Sequence, residues 1–478
     1  MAMGQRRKKQ QGSLWVETAR LGSSAVHPFY ERLNLILDEA GFDEFVEGRC
    51  AGFYGGKVGR PSLAPAVYFR LLLIGYFEGI DSERGIAWRV ADSLGLRRFL
   101  GFELSDGTPD HSTISRNRRL IDLETHEDVF SWIVRLLAKK GLIKGKTLGI
   151  DGTTLEANAA MRSIVRRDTG EKYDAFLERL AKESGIETPT REQMAKLDRN
   201  RPKKGSNKEW GHPHDPDARI TKMKDGRTHL AHKAEHAVDM ETGAIVAVTV
   251  QGADRGDAQS IDETLSEAAE NLQEALEDED AREGLSDELM SEIVADKGYH
   301  SNAVLERLSG EGARTYISEP NRGRRNWRGK ADAKRATYAN RRRIRGERGK
   351  KLLRRRGERV ERSFAHSYDT GGMRRVHLRG HDNILKRVLI HTGAFNLGLV
   401  LRGVLGVGTP RGLQGRLRAV VSTLWSALRL LWRRPRPMGL DLGLATPDKK
   451  RGTPRLLLTF RILESPFSQR ICPSATGC

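Results

Sequence analysis

The stretch that most constrains the fold is KTLGIDGTTLEAN, Lys146 to Asn158. Thr147-Leu148-Gly149-Ile150 is a short apolar run of strand length and reads as a buried strand. Asp151 follows at once, then Gly152, where a chain can turn tightly. A carboxylate at the end of a buried strand is costly unless a cation or a metal pairs with it. The rest of the chain therefore has to bring partners to Asp151.

A second feature says what kind of partner the whole chain meets. Lys and Arg number 83 against 63 Asp and Glu, a formal charge of +20. From Arg322 to Arg362 there are 19 Lys and Arg against 4 Asp and Glu, so a surplus of 15 lies in one stretch. A localised excess of this size points to a polyanion, most often nucleic acid. Cys50, Cys472 and Cys478 are too few and too scattered for a disulfide framework or a zinc site, which fits a reducing cytosol. The basic opening MAMGQRRKKQQGS has no apolar run behind it, so no signal peptide is expected. Ala419 to Trp432 is too short to span a bilayer and contains Arg429, so no membrane partner is expected.

The 478 residues divide by pattern into four parts. Residues 1–27 read as a basic disordered arm. Residues 28–140 read as an all-α N-terminal domain that binds DNA. Within it, Ser82 or Asp81 and then Asp110 are cap candidates, and DHSTISRNRRLID forms a helix with Ile114 and Leu120 inward. Ser115, Arg116, Asn117 and Arg119 are left outside. Two short helices, a tight turn and this final helix resemble a helix-turn-helix, whose Arg and Asn would read purine edges. An ordinary helical bundle with a solvated basic face fits the same pattern. Residues 141–402 read as an α/β domain with a polar insertion at about 160–228. Residues 403–478 read as a basic tail of low order, with one possible helix around Leu417 to Trp432.

In the α/β part, Leu230 to Asp239 and Ala244 to Val250 flank a turn and form a hairpin. Ile293-Val294-Ala295 is another buried strand with Asp296 at its end, and Ala313 to Ile317 is a fifth. Three strands, helix, strand, helix, strand, helix is compatible with an RNase H-like mixed five-stranded sheet with flanking helices. His229, His232 and His236 alternate along one strand with no cysteine nearby. They read as structural or phosphate-contacting rather than as zinc ligands.

Asp151 and Asp296 are 145 residues apart, and Glu361 follows 65 residues later on a helix, between Val360 and Phe364. Phosphodiester chemistry needs a nucleophile, an in-line geometry and relief of charge on the leaving oxygen. Two Mg²⁺ ions about 3.5–4 Å apart can meet all three needs. Three carboxylates in one cleft repel one another, so bound cations are physically expected there.

These segments resemble the DDE transposases of bacterial insertion sequences, in the broad group of insertion sequences 5 and 1182. The resemblance rests on GRPSLAPAVYFRLLLIGYFEGIDSERGIAWRVADSLGLRRFLGF continuing to TPDHSTISRNR. It rests also on DGT at 151–153, DKGY at 296–299, and VERSF with GGMRRVHLRG. It covers roughly residues 28 to 402. It implies an enzyme that binds the terminal inverted repeats of its element and hydrolyses the strand ends with metal-activated water. The freed 3′-hydroxyl then attacks target DNA. Asp151, Asp296 and Glu361 would hold Mg²⁺ or Mn²⁺, two ions, with no small-molecule cofactor. Lys297 and Tyr299 would contact DNA or support their loop, and Arg362 and Arg375 would hold phosphates. Joining two ends implies a homodimer on double-stranded DNA, in the cytoplasm at the nucleoid. One departure stands out. Related enzymes show Tyr, two residues, Arg, three residues, Glu, six residues, Lys, whereas here Arg354, Gly357 and Tyr368 hold those flanking positions. Arg359, Arg362 or Arg374 would stand in, or Glu358 is the third ligand. A DNA-binding protein without chemistry, or a nuclease without strand transfer, are the alternatives.

Overall fold

The structure is a computed structural model. It describes residues 27–413 apart from 56–61, 104, 202–204, 224–225, 322 and 324. The expected basic arm, most of the expected tail and the possible helix around residues 417–432 lie outside the described residues.

Among the described residues seven α-helices come first: α1 Pro28–Glu39, α2 Phe42–Cys50, α3 Pro65–Glu78, α4 Glu83–Ala91, α5 Leu94–Phe99, α6 His111–Leu120 and α7 Leu123–Lys139. Side chains start several of them. Ser82 Oγ accepts from Gly85 N–H at 3.1 Å, and Asp110 Oδ1 accepts from Ser112 N–H at 2.7 Å. Such caps satisfy the unpaired first-turn donors of a helix. The helix α3 is apolar around its whole circumference and is buried accordingly. Its one cation, Arg70, is answered by Asp38 and Asp43. Leu120, expected to face inward, is exposed; Ile114 and Ile121 are the apolar residues that α6 and its end bury.

The α/β part follows: β1 Thr147–Glu156, β2 Val165–Arg166, α8 Tyr173–Glu183, α9 Arg191–Asn200, β3 Trp210–Gly211, β4 Arg219–Lys222, β5 Thr228–Asp239, β6 Ile245–Gly252, α10 Asp257–Glu277, α11 Glu279–Gly284, β7 Glu292–Ala295, α12 Asn302–Gly310, β8 Arg314–Ile317, α13 Ala331–Arg345, α14 Glu347–Ala365 and α15 His381–Leu405. The main sheet runs β4-β5-β1-β7-β8, with β6 also on β5. The pairs β1–β5 and β5–β6 are antiparallel, whereas β1–β7 and β7–β8 are parallel.

The sheet has six strands, not the five expected. The sixth, β4, lies inside the polar insertion read as loop, and it pairs with the first residues of β5. The remainder of the insertion is also folded. Trp210 packs against Tyr173 and Phe176 over a small core of its own.

A second difference matters more for the site. The strand β1 does not end at Asp151 but continues to Glu156. Its partner β5 is long enough to pair with it from Leu148↔Asp239 to Glu156↔Ala231. On its other edge β7 stops at Ala295, opposite Ile150. Gly152 is thus not a turn residue. A Cβ there would come within 2.7 Å of Lys233 Cε, so glycine permits a close approach from the next strand.

Both faces of the sheet are covered, by α10 on one side and α14 on the other. The helix α15 packs on α3, α7 and β6, so the opening helices and the sheet share one hydrophobic core. By length and composition His381–Leu413 could cross a membrane, but its apolar side chains are mostly buried inside this core.

Where α10 meets α7, Glu267 is pushed up to about 7 by burial, with Glu127 and Glu270 adding repulsion. A carboxylate raised in the folded state contributes stability that is full below its unfolded pKa, about 4.3, and lost as pH rises through its folded one. Glu267→Gln is therefore expected to melt with wild type near pH 4 and a few degrees above it at pH 8. The gap should open between those values in paired thermal melts.

Candidate active site

Asp151 sits where β1 loses its β7 neighbour. The parallel register Ile150↔Ala295 makes Asp151 and Asp296 the next pair along the two strands. Adjacent strands lie about 4.8 Å apart, so two carboxylates meet at the open end of the β1–β7 pair. Burial raises the pKa of Asp151, and repulsion from Asp296 adds to it. Arg356 and the Gly152 N–H pull the other way. The contacts are direct: Gly152 N–H donates to Oδ1 at 2.9 Å and Arg356 Nη1 donates to Oδ2 at 2.5 Å. Asp296 makes no side-chain hydrogen bond or ion pair within the described residues, while its carbonyl accepts from Tyr299 N–H at 3.1 Å.

Asp151 stands opposite His236 on β5, so both side chains project to the face covered by α14. His236 is buried, is pushed down to about 3 by burial, and bonds Ser363 at 3.0 Å. Its ring lies 4.3 Å from that of Phe364. In the short π-helical turn at residues 366–370 that continues α14, Tyr368 donates to Thr154 O at 3.2 Å. Arg356, Ser363, Phe364 and Tyr368 therefore fasten this helix across β1 and β5. Glu361 rides on it, exposed, on the stripe of Phe364 and Tyr368, three and seven residues on. Glu358 shares its stripe with Arg362 and Ala365, which are exposed. Among the described residues no three His, Cys, Asp or Glu side chains lie close enough to hold a metal ion as they stand. The structure thus brings Asp151 and Asp296 together and leaves Glu361 on the adjoining helix.

On the α10 face, Glu235 is fully buried in β5 opposite Gly152. It accepts from Tyr299 Oη at 2.7 Å, Ser260 Oγ at 2.8 Å and Thr264 Oγ1 at 2.6 Å. Lys233 Nζ lies 3.2 Å from Glu235 and 2.6 Å from Asp257. Tyr299 is itself fully buried, its phenol pushed far up by burial and by Glu235. Of the two roles expected for it, this environment permits support of the loop behind Asp296 and not contact with DNA. Lys297, two residues earlier, is exposed.

The other expected DNA contacts divide in the same way. Arg116 and Arg119 are exposed on α6. Ser115 is half-buried and accepts from Arg118 at 3.2 Å. Asn117 is buried; it accepts from Tyr54 Oη at 2.9 Å and donates to Thr113 O at 2.9 Å, so it has no free edge for a base. Arg362 and Arg375 are exposed. Of the strand histidines, His232 and His236 are buried, with His232 bonded to Asp215 at 3.2 Å inside the fold.

The family model for Transposase DDE domain matches residues 150–397, and that for Transposase domain (DUF772) matches residues 22–120. The chain belongs to the transposase DDE domain family. No curated protein and no solved structure matches it. DDE transposases generally depend on a divalent metal, and the donors at the open end of β1 and β7 fit such an ion. They are oxygens only, partly desolvated and mutually repelling, which is the setting that a hard cation relieves. In this DDE domain Arg356 supplies the positive charge at Asp151.

Sequence reasoning missed Arg356, Glu235 and Lys233. The last two had a signal: charges two residues apart in a strand with apolar neighbours need partners. Arg356 had none, being one cation among many. Arg356→Gln is expected to tighten Mn²⁺ binding about tenfold, corresponding to an ion pair of about 1.4 kcal/mol that no longer competes. Calorimetric titration of the two proteins with Mn²⁺ checks this.

Proposed function

We propose that the chain is a DNA transposase that binds the terminal inverted repeats of its element and catalyses metal-dependent strand cleavage followed by strand transfer. The observation that carries this is the Asp151–Asp296 pair at the open end of two parallel strands, inside the residues that match the DDE domain. The strand order β6-β5-β1-β7-β8, with β5 antiparallel to both its neighbours, supports an RNase H-like core. The narrower assignment, to the group of insertion sequences 5 and 1182, rests on the N-terminal and DKGY motifs.

Asp151, Asp296 and Glu361 are the proposed ligands of Mg²⁺ or Mn²⁺. The helical stripe it shares with Phe364 and Tyr368 favours Glu361 over Glu358. Bound metal would supply an activated water and neutralise charge on the leaving oxygen. The chain's own residues do the rest. The sheet fixes the two aspartates, Tyr299 holds the Asp296 loop from beneath, and α14 carries Glu361 and Arg362. Lys297, Arg116, Arg119, Arg375 and the exposed cations of α13 and α14 face the DNA. Two such chains would hold two DNA ends, with the enzyme acting at the nucleoid.

The test uses purified full-length protein, Mg²⁺, a labelled duplex carrying the inverted repeat that flanks the gene, and a supercoiled plasmid. Label joined to plasmid is the expected product. Cleavage without joining would favour a nuclease, and binding without cleavage a non-catalytic reader.

A further inference from the structure

A cleft of about 510 Å³ opens beside the far end of β1, between it and the folded insertion. Asn158, Arg162, Lys172, His212, Arg375 and Arg379 line it. Of its four cations, all exposed, none forms an ion pair within the described residues. One carboxylate, Asp174, shares the lining.

The cleft is built onto the catalytic strand. Residues 374–379 run alongside the end of β1: Val376 N–H donates to Glu156 O at 2.9 Å and Glu156 N–H donates to Arg374 O at 3.4 Å. This parallel bridge sets Arg375 beside Glu156. Asn158 Nδ2 then donates to His377 O at 3.1 Å, and Arg379 Nε donates to Asn158 O at 3.4 Å. The cations therefore stand at a fixed distance from Asp151. Five to seven residues of extended chain span about 17–23 Å. Successive phosphates along a DNA strand advance about 3.4 Å each, so the distance corresponds to roughly five to seven nucleotides.

We infer that this cleft binds the phosphodiester backbone of the DNA end, about five to seven nucleotides from the scissile phosphate. Four cations against one carboxylate match a polyanion, and exposed Arg and Lys at the rim suit backbone contacts rather than base reading. The polar insertion is thereby a DNA clamp continuous with the active site. This site rests on the transposase reading, and the experiment separates the two.

The probe is a fluorescent 30-base-pair duplex of arbitrary sequence, titrated by anisotropy with the full chain from 50 to 300 mM KCl. Each phosphate neutralised contributes about 0.9 to the slope of log affinity against log salt. Arg162→Ala/Lys172→Ala/Arg379→Ala is expected to lower that slope by about 2.7, and Arg162→Lys/Arg379→Lys to keep it. Arg135→Ala/Lys139→Ala/Lys140→Ala removes the same charge from a cleft shared with Glu39, Asp278, Asp280 and Glu283, and should leave the slope unchanged. An unchanged slope in the first variant, or an equal fall in the control, overturns the clamp while the transposase reading stands. Absence of duplex binding by the wild type overturns both.

Discussion

Asp296→Asn is expected to reduce metal-dependent strand cleavage by roughly 10²–10³-fold or more, the scale of losing one preorganised group that stabilises developing charge. It should do so without harming the fold. Asp296 is tied to the protein through its backbone carbonyl, not its carboxylate. Its negative charge raises the pKa of Asp151, so an amide removes repulsion and leaves the Arg356 contact in place. The melting temperature of the metal-free variant should match or exceed that of wild type, and DNA binding should be retained. Asp151→Asn should be equally inactive but less stable, because it strips the charge partner from Arg356, whose side chain is 13% exposed. Activity assays beside thermal melts of both variants check the contrast. A metal-free Asp296→Asn protein that melts far below wild type would mean that the carboxylate is structural.

The largest stability effect is expected at Glu235. Glu235→Ala should cost about 3–5 kcal/mol, as when one member of a buried charged network is removed. Three hydroxyls and the Lys233 ammonium lose their acceptor at once, in a strand with no route to water. Tyr299→Phe removes a single donor and should cost about 1–2 kcal/mol. Urea unfolding of the two variants measures both. Tyr299→Phe also separates loop support from DNA contact, since a supporting tyrosine leaves the salt dependence of DNA binding unchanged.

The ends of the strands were only partly legible in the sequence. The run before Asp296 ends where β7 ends, because the chain coils into a short helical turn at Lys297–Tyr299. The run before Asp151 looked the same, yet β1 continues through DGTTLE. That extension is set by the length of β5, some eighty residues away, and no local pattern records it. The strand β4 was hidden for the same reason: RITK is polar and gains its place only from β5. Asn117 read as a surface residue because it is polar, but Tyr54 uses its amide inside the fold. Arg356 could not be told from the other cations of its stretch until α14 was laid across β1. Glu361 read as a residue facing the core because Val360 and Phe364 flank it, yet those two are buried while Glu361 itself is exposed on α14.

We propose that Asp151 and Asp296 take a divalent ion in place of Arg356. Fe²⁺ substituted for Mg²⁺, with ascorbate and peroxide, cleaves a polypeptide beside the bound metal. The expected fragments of the full chain end near residues 151, 296 and 361. They should fade with excess Mg²⁺ and be missing in Asp151→Asn. Cleavage elsewhere, or none that Mg²⁺ suppresses near Asp151 and Asp296, would contradict the assignment of this pair as the metal site.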